Sequence, residues 1–188
     1  MVDSHDQKWI KDLPNQLTLF RIAVVPILLV LFPLGFDALT LFCAFLFAIA
    51  SITDGLDGII ARQFDSVTKL GVILDPIADK MLTAAGLILL AHDHRIPAWM
   101  AGVLLCRELA VSGLRHMAAM HNIEIQVSGI AKWKTFTLDV AITCMMVNRP
   151  MFGWPWVEVG MLSLWISLII SVYSAWEYGD KFWKRANF

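Results

Sequence analysis

The sequence predicts an all-α integral membrane protein with six transmembrane helices, both termini on the cytoplasmic side and a short N-terminal interfacial helix. Three observations predict it: an apolar composition, six apolar blocks of spanning length, and a one-sided distribution of lysine and arginine. The 188 residues are 58% hydrophobic and only 16% charged, with a mean hydropathy of +0.66. A soluble domain of this length is roughly 45–50% apolar and about 25% charged. The excess lies in long blocks, which points to membrane spans rather than a large core. The formal net charge of −1 gives no reason to expect a nucleic-acid partner.

Elements follow in chain order. Met1 to Lys11 is polar and charged, unlike a removable signal peptide, so none is expected. Gln7–Leu13 forms either a short surface helix, with Trp9, Ile10 and Leu13 toward lipid, or an ordinary charged flank. The spans are Leu17–Phe36, Ala38–Arg62, Lys69–Ala91, Ile96–Ala119, Gly129–Val147 and Trp156–Tyr178. Each is near the ~20 residues that cross ~30 Å of hydrocarbon, and helices satisfy their own backbone there. Pro26 and Pro33 kink or shorten the first span; Pro97, Pro150, Gly153 and Pro155 break between later ones. Residues 1–16 form an N-terminal segment, 17–180 a single membrane domain, and 181–188 a basic tail. Cys43, Cys106 and Cys144, unpaired in spacing, read as small buried hydrophobes.

An even number of spans puts both termini on one side. That side collects Lys8, Lys11, Arg21, Arg62, Lys69, Arg115, Lys132, Lys134, Lys181, Lys184 and Arg185, against Arg95 and Arg149 opposite. The positive-inside rule makes the crowded side cytoplasmic. Tryptophans support the same frame, with Trp99, Trp154 and Trp156 at outer ends and Trp9, Trp133, Trp176 and Trp183 at inner ends.

Four aspartates stand where a membrane disfavours them. Asp54 and Asp57 lie near the end of the second span, Asp75 and Asp79 within the third. Each costs on the order of 2.5–3.5 kcal/mol on insertion scales, and close carboxylates repel. Lys80 and Arg62 are too few to neutralise four. A three-residue step turns a helix by about 300°, and a four-residue step returns to the same face, so each pair is a pair of neighbours. The short connection Gln63–Thr68 makes the helices antiparallel neighbours, with Asp54 and Asp75 about 9–12 Å in from it. Hard carboxylate oxygens suit Mg²⁺ or Mn²⁺, and two such ions would offset the four charges. Metal pairs ~3.5–4 Å apart recur in displacement at phosphorus.

Gly58 and Ala61 share the face of Asp54 and Asp57, and Gly71 lies one turn before Asp75. The bare strip is a ligand groove beside the aspartates or a surface for tight helix packing. Arg62 is a diphosphate clamp or a snorkelling interfacial arginine.

Asp54, Asp57, Gly58, Ala61, Arg62, Gly71, Asp75 and Asp79 together fill the signature of the CDP-alcohol phosphatidyltransferases, which this sequence closely resembles. The resemblance implies that Asp54, Asp57 and Asp75 ligate metal and that Asp79 is the general base, also touching metal. It implies a CDP-lipid bound by Asp57, Gly58, Ala61, Arg62 and Gly71, an attacking acceptor hydroxyl, CMP as leaving group, and a homodimer in the inner (plasma) membrane with its active site facing the cytoplasm.

Further clusters bear on the acceptor. Leu13 to Arg21 is similar to a motif of the family branch that uses glycerol 3-phosphate; within it, Asn15 and Thr18 either bind CDP-lipid or cap a helix. Arg107, Arg115, Lys132 and Lys134 would make a cationic pocket suited to a dianionic phosphate, unless Glu108 or Asp139 pairs with Arg107 structurally. The expected reaction therefore joins CDP-diacylglycerol and glycerol 3-phosphate to give phosphatidylglycerophosphate and CMP. Ala131 and Leu138 depart from the branch pattern, where glycine and glutamine are typical. Inositol phosphate, phosphatidylglycerol or serine are alternative acceptors. A divalent-cation transporter would also carry membrane aspartates, but gives no reason for the fixed glycine, alanine and arginine spacings.

Overall fold

A computed structural model describes residues 4–64, 69–121, 130–147 and 153–186, with side chains over 15–54, 74–121, 133–147 and 153–185. The described residues form helices and no strand: α1 (Ser4–Leu31), α2 (Asp37–Phe64), α3 (Lys69–His92), α4 (Ala98–Met120), α5 (Ile130–Val147) and α6 (Trp156–Ala186). The chain divides into two compact units, Met1–Leu89 and Leu90–Phe188.

In the first unit α1 runs unbroken from Ser4, so the short helix expected at Gln7–Leu13 is the start of a longer one. Pro26 lies within α1 without ending it. Near Pro33 the helix tightens into a 3-10 turn, Phe32–Leu34, closed by Gly35 at φ 70°. That positive φ favours glycine and lets the chain reverse into α2. Thr40 Oγ donates to the Asp37 carbonyl at 3.0 Å in the first turn of α2. α1 packs on α2, and Val24, Val25 and Leu28 of α1 and Cys43, Ala44, Phe47 and Ala50 of α2 are all buried. Ala78, Leu82, Ala85 and Leu89 make the buried stripe of α3 at helical spacing.

The second unit starts with a turn in which His94 has φ 55° and the Arg95 amide donates back to the Leu90 carbonyl at 2.9 Å. Arg95, expected as a sparse outer-side charge, donates to the Met145 and Met146 carbonyls at 2.7 and 2.9 Å. A cation there satisfies the last carbonyls of α5 and complements its dipole. α5 and α6 pack most closely. A Cβ added at Gly160 would fall 2.5 Å from Met145 Cγ and 3.2 Å from Cys144 Cβ. Small residues allow such approach where packing, not water exclusion, holds helices together. Cys43 and Cys144 are buried as expected, whereas Cys106 is exposed on α4.

Three helical stretches are long and apolar enough to cross a membrane: Asn15–Leu34, Asp37–Asp54 and Trp156–Arg185. About a third or less of each is buried within the protein. Val30, Phe36, Phe45, Ile52, Leu162 and Ile169 instead point outward. Such faces suit a lipid solvent. The remaining helices are interrupted by charge: Asp75, Asp79 and Lys80 in α3, Arg107, Glu108 and Arg115 in α4, and Lys132, Lys134 and Asp139 in α5. Six crossings are therefore not carried by hydropathy alone.

Candidate active site

In the first unit three helices bring side chains to one point. Arg21 of α1 is fully buried and donates through its two terminal nitrogens to Asp54 Oδ1 of α2 and Asp75 Oδ1 of α3. Thr18, one turn earlier and also buried, donates its hydroxyl to the same Asp75 oxygen at 3.2 Å. Asn15, Thr18 and Arg21 are three residues apart, which keeps them on one side of α1. The capping alternative for Asn15 and Thr18 fails because both lie well inside a helix that starts at Ser4. The Asn15 side-chain oxygen is buried and has no hydrogen-bond partner among the described residues.

Asp54 and Asp75 are partly exposed, at 32% and 43% of their side chains, while the arginine between them is at 0%. Asp79 follows Asp75 by one turn on α3 and is partly buried. Asp57, Gly58, Ala61, Arg62 and Gly71 lie on α2 and α3, but their side chains fall outside the described residues. Among the described residues no three His, Cys, Asp or Glu side chains cluster to hold a metal. The donor set nonetheless fits a hard divalent cation, because two carboxylate oxygens from separate helices already turn onto one cationic group. Arg21 counted as a cytoplasmic flanking charge and as the last residue of the Leu13 to Arg21 motif, with no partner assigned to it. Its three-residue spacing from Thr18 was the available clue to its inward face.

The second unit holds a different cluster. Arg107 donates to the Ser171 carbonyl at 2.9 Å, to Ser174 Oγ at 2.6 Å and to Glu108 Oε2 at 2.9 Å. Lys134 Nζ donates to that same Glu108 oxygen. Lys134 and Arg107 are nearly buried, at 7% and 9% of their side chains, and Glu108 is 29% exposed. Ser167 Oγ donates to the Lys134 carbonyl at 3.2 Å, tying α6 to α5. Of the four expected phosphate ligands, Arg107 and Lys134 therefore meet on Glu108, so the alternative of a structural Arg107–Glu108 pair is the one seen. Arg115 is exposed further along α4, and Lys132 lies outside the described side chains. Leu138, one turn after Lys134, is buried, so the glutamine typical there would need a buried partner; Ala131 is outside the described side chains. Sequence reasoning missed Ser171 and Ser174, since serines in an apolar helix carry no periodic signal of their own.

Comparison with known proteins agrees with the signature. The family model for CDP-alcohol phosphatidyltransferase matches residues 11–173. A relative from Bacillus subtilis (strain 168) is 36% identical over 185 residues, covering 92% of this chain and 96% of its own. One from Rickettsia typhi is 36% identical over 169 residues (89% and 95%), and one from Pectobacterium atrosepticum is 32% identical over 175 residues (89% and 92%). All three are named CDP-diacylglycerol–glycerol-3-phosphate 3-phosphatidyltransferase. With its aspartates on neighbouring segments of the family motif and the match spanning most of its length, this chain belongs to the CDP-alcohol phosphatidyltransferase family and is a transferase.

Proposed function

We propose that the enzyme transfers the phosphatidyl group of CDP-diacylglycerol to glycerol 3-phosphate, giving phosphatidylglycerophosphate and CMP. The observation that carries this reading is the convergence of Asp54 and Asp75, from separate helices, on one cationic centre. The names of its relatives supply the donor and the acceptor.

Asp54, Asp57, Asp75 and Asp79 would hold two Mg²⁺ or Mn²⁺ ions, which would supply charge neutralisation at the diphosphate. Asn15, Thr18, Asp57, Gly58, Ala61, Arg62 and Gly71 bind the CDP-lipid. Arg107, Arg115, Lys132 and Lys134 bind the phosphate of the acceptor, arginine as a fork and lysine as a point charge. Asp79 removes the proton of the acceptor hydroxyl. The oxygen then bonds to the lipid-linked phosphorus, the bond from that phosphorus to the CMP oxygen breaks, and CMP leaves with the electron pair. Catalysis is mostly positioning and charge neutralisation. On this reading the protein crosses the bacterial inner membrane six times as a homodimer, with both termini and the active site on the cytoplasmic side.

Purified protein incubated with CDP-diacylglycerol and Mg²⁺, with alcohols offered in turn, tests the proposal by freed CMP. Release is expected with glycerol 3-phosphate and only background with inositol phosphate, phosphatidylglycerol or serine. Faster release with another alcohol replaces the acceptor, and none with any alcohol overturns the transfer.

A further inference from the structure

We propose that Ser174 is a positioning residue for the acceptor: it holds Arg107 so that the free part of the guanidinium fork meets the phosphate of the alcohol. The inference deepens the acceptor reading above and rests on it.

Arg107 is nearly buried, at 9% of its side chain. A guanidinium carries five N–H groups in one rigid plane, so fixing two nitrogens fixes the direction of the rest. Helix α6 fixes them. Arg107 Nε donates to the Ser171 carbonyl at 2.9 Å, and Nη2 donates to Ser174 Oγ at 2.6 Å. The Ser174 hydroxyl gives its own proton to the Ser171 carbonyl at 3.1 Å, which leaves its lone pairs to accept from Arg107. Both α6 acceptors are neutral, so they orient the guanidinium without cancelling its charge. Glu108 takes one further bond, from Nη1. Among the described residues three of the five N–H groups are thus engaged, which leaves one on each terminal nitrogen for a ligand. Such a pair matches two oxygens of a phosphate. The pairing with Glu108 and the binding of an acceptor phosphate therefore use different edges of the same side chain.

In the purified full chain, assayed by freed CMP, Ser174→Ala should raise the KM for glycerol 3-phosphate about tenfold, with kcat and the KM for CDP-diacylglycerol within about twofold of wild type. Competitive inhibition by inorganic phosphate should weaken by the same factor, because the lost aim concerns the phosphate alone. Ser174→Thr keeps the hydroxyl and its bond to the carbonyl three residues back, so it should restore both values. A KM near wild type in Ser174→Ala overturns the proposal. So does an equal loss toward both substrates, which marks a merely structural serine. Should Ser174→Ala not fold, Ser174→Cys supplies a weak acceptor, and a wild-type KM there overturns the proposal. Added to Arg107→Gln, Ser174→Ala should raise the KM for glycerol 3-phosphate no further, since it acts only through Arg107. An unchanged KM for glycerol 3-phosphate in Arg107→Gln alone sinks the phosphate-pocket reading as well. A raised one there, with none in Ser174→Ala, removes the positioning role and leaves that reading standing.

Discussion

The two units treat buried charge as mirror images. In the first, a cation from α1, Arg21, meets carboxylates from two other helices, Asp54 and Asp75. In the second, a carboxylate, Glu108, meets two cations, Arg107 and Lys134. Charge persists in apolar surroundings where groups of opposite sign meet it.

The largest effect should come from the acidic side. Asp79→Asn is expected to lower CMP release by about two to four orders of magnitude while sparing CDP-lipid binding. Near-normal turnover would falsify the base assignment. Next, the same neutralising change made in each unit should act on different ions. Asp75→Asn should weaken Mn²⁺ binding about tenfold or more and leave the KM for glycerol 3-phosphate unchanged. Glu108→Gln should leave Mn²⁺ binding alone, destabilise the fold by about 2 kcal/mol, and increase thermal protection by inorganic phosphate. If the two variants shift the same ligand, the contrast between the units is broken.

Glycines sharpen the comparison at the level of the backbone. Gly160 lets α6 lie against Met145 and Cys144, so Gly160→Val should cost about 2 kcal/mol in chemical unfolding. Gly35 faces open space and matters only through its φ of 70°. Gly35→Ala should cost about 1 kcal/mol, and a cost equal to that at Gly160 would mean that side-chain space is not what separates them.

Hydropathy and helical periodicity made much of this legible. Apolar blocks gave six helices with the predicted order, and the spacing of Asp54, Asp57, Asp75 and Asp79 gave the family. The misses share a cause. Arg21 counted among the flanking charges and Lys134 among the phosphate ligands, because a lysine or arginine near a span end reads the same whether it meets headgroups, a ligand or a buried carboxylate. Their partners lie 33, 54 and 26 residues away in sequence. Likewise Arg95 was an ordinary loop charge until α5 ended beside it.

By itself, then, the sequence determined the helical class, the apolar surfaces and the acidic motif, because each is written in steps of three or four residues. Only tertiary structure decided which cation each carboxylate faces. A charge in an apolar layer must find its partner in space, and helix packing chooses among several candidates that look alike along the chain.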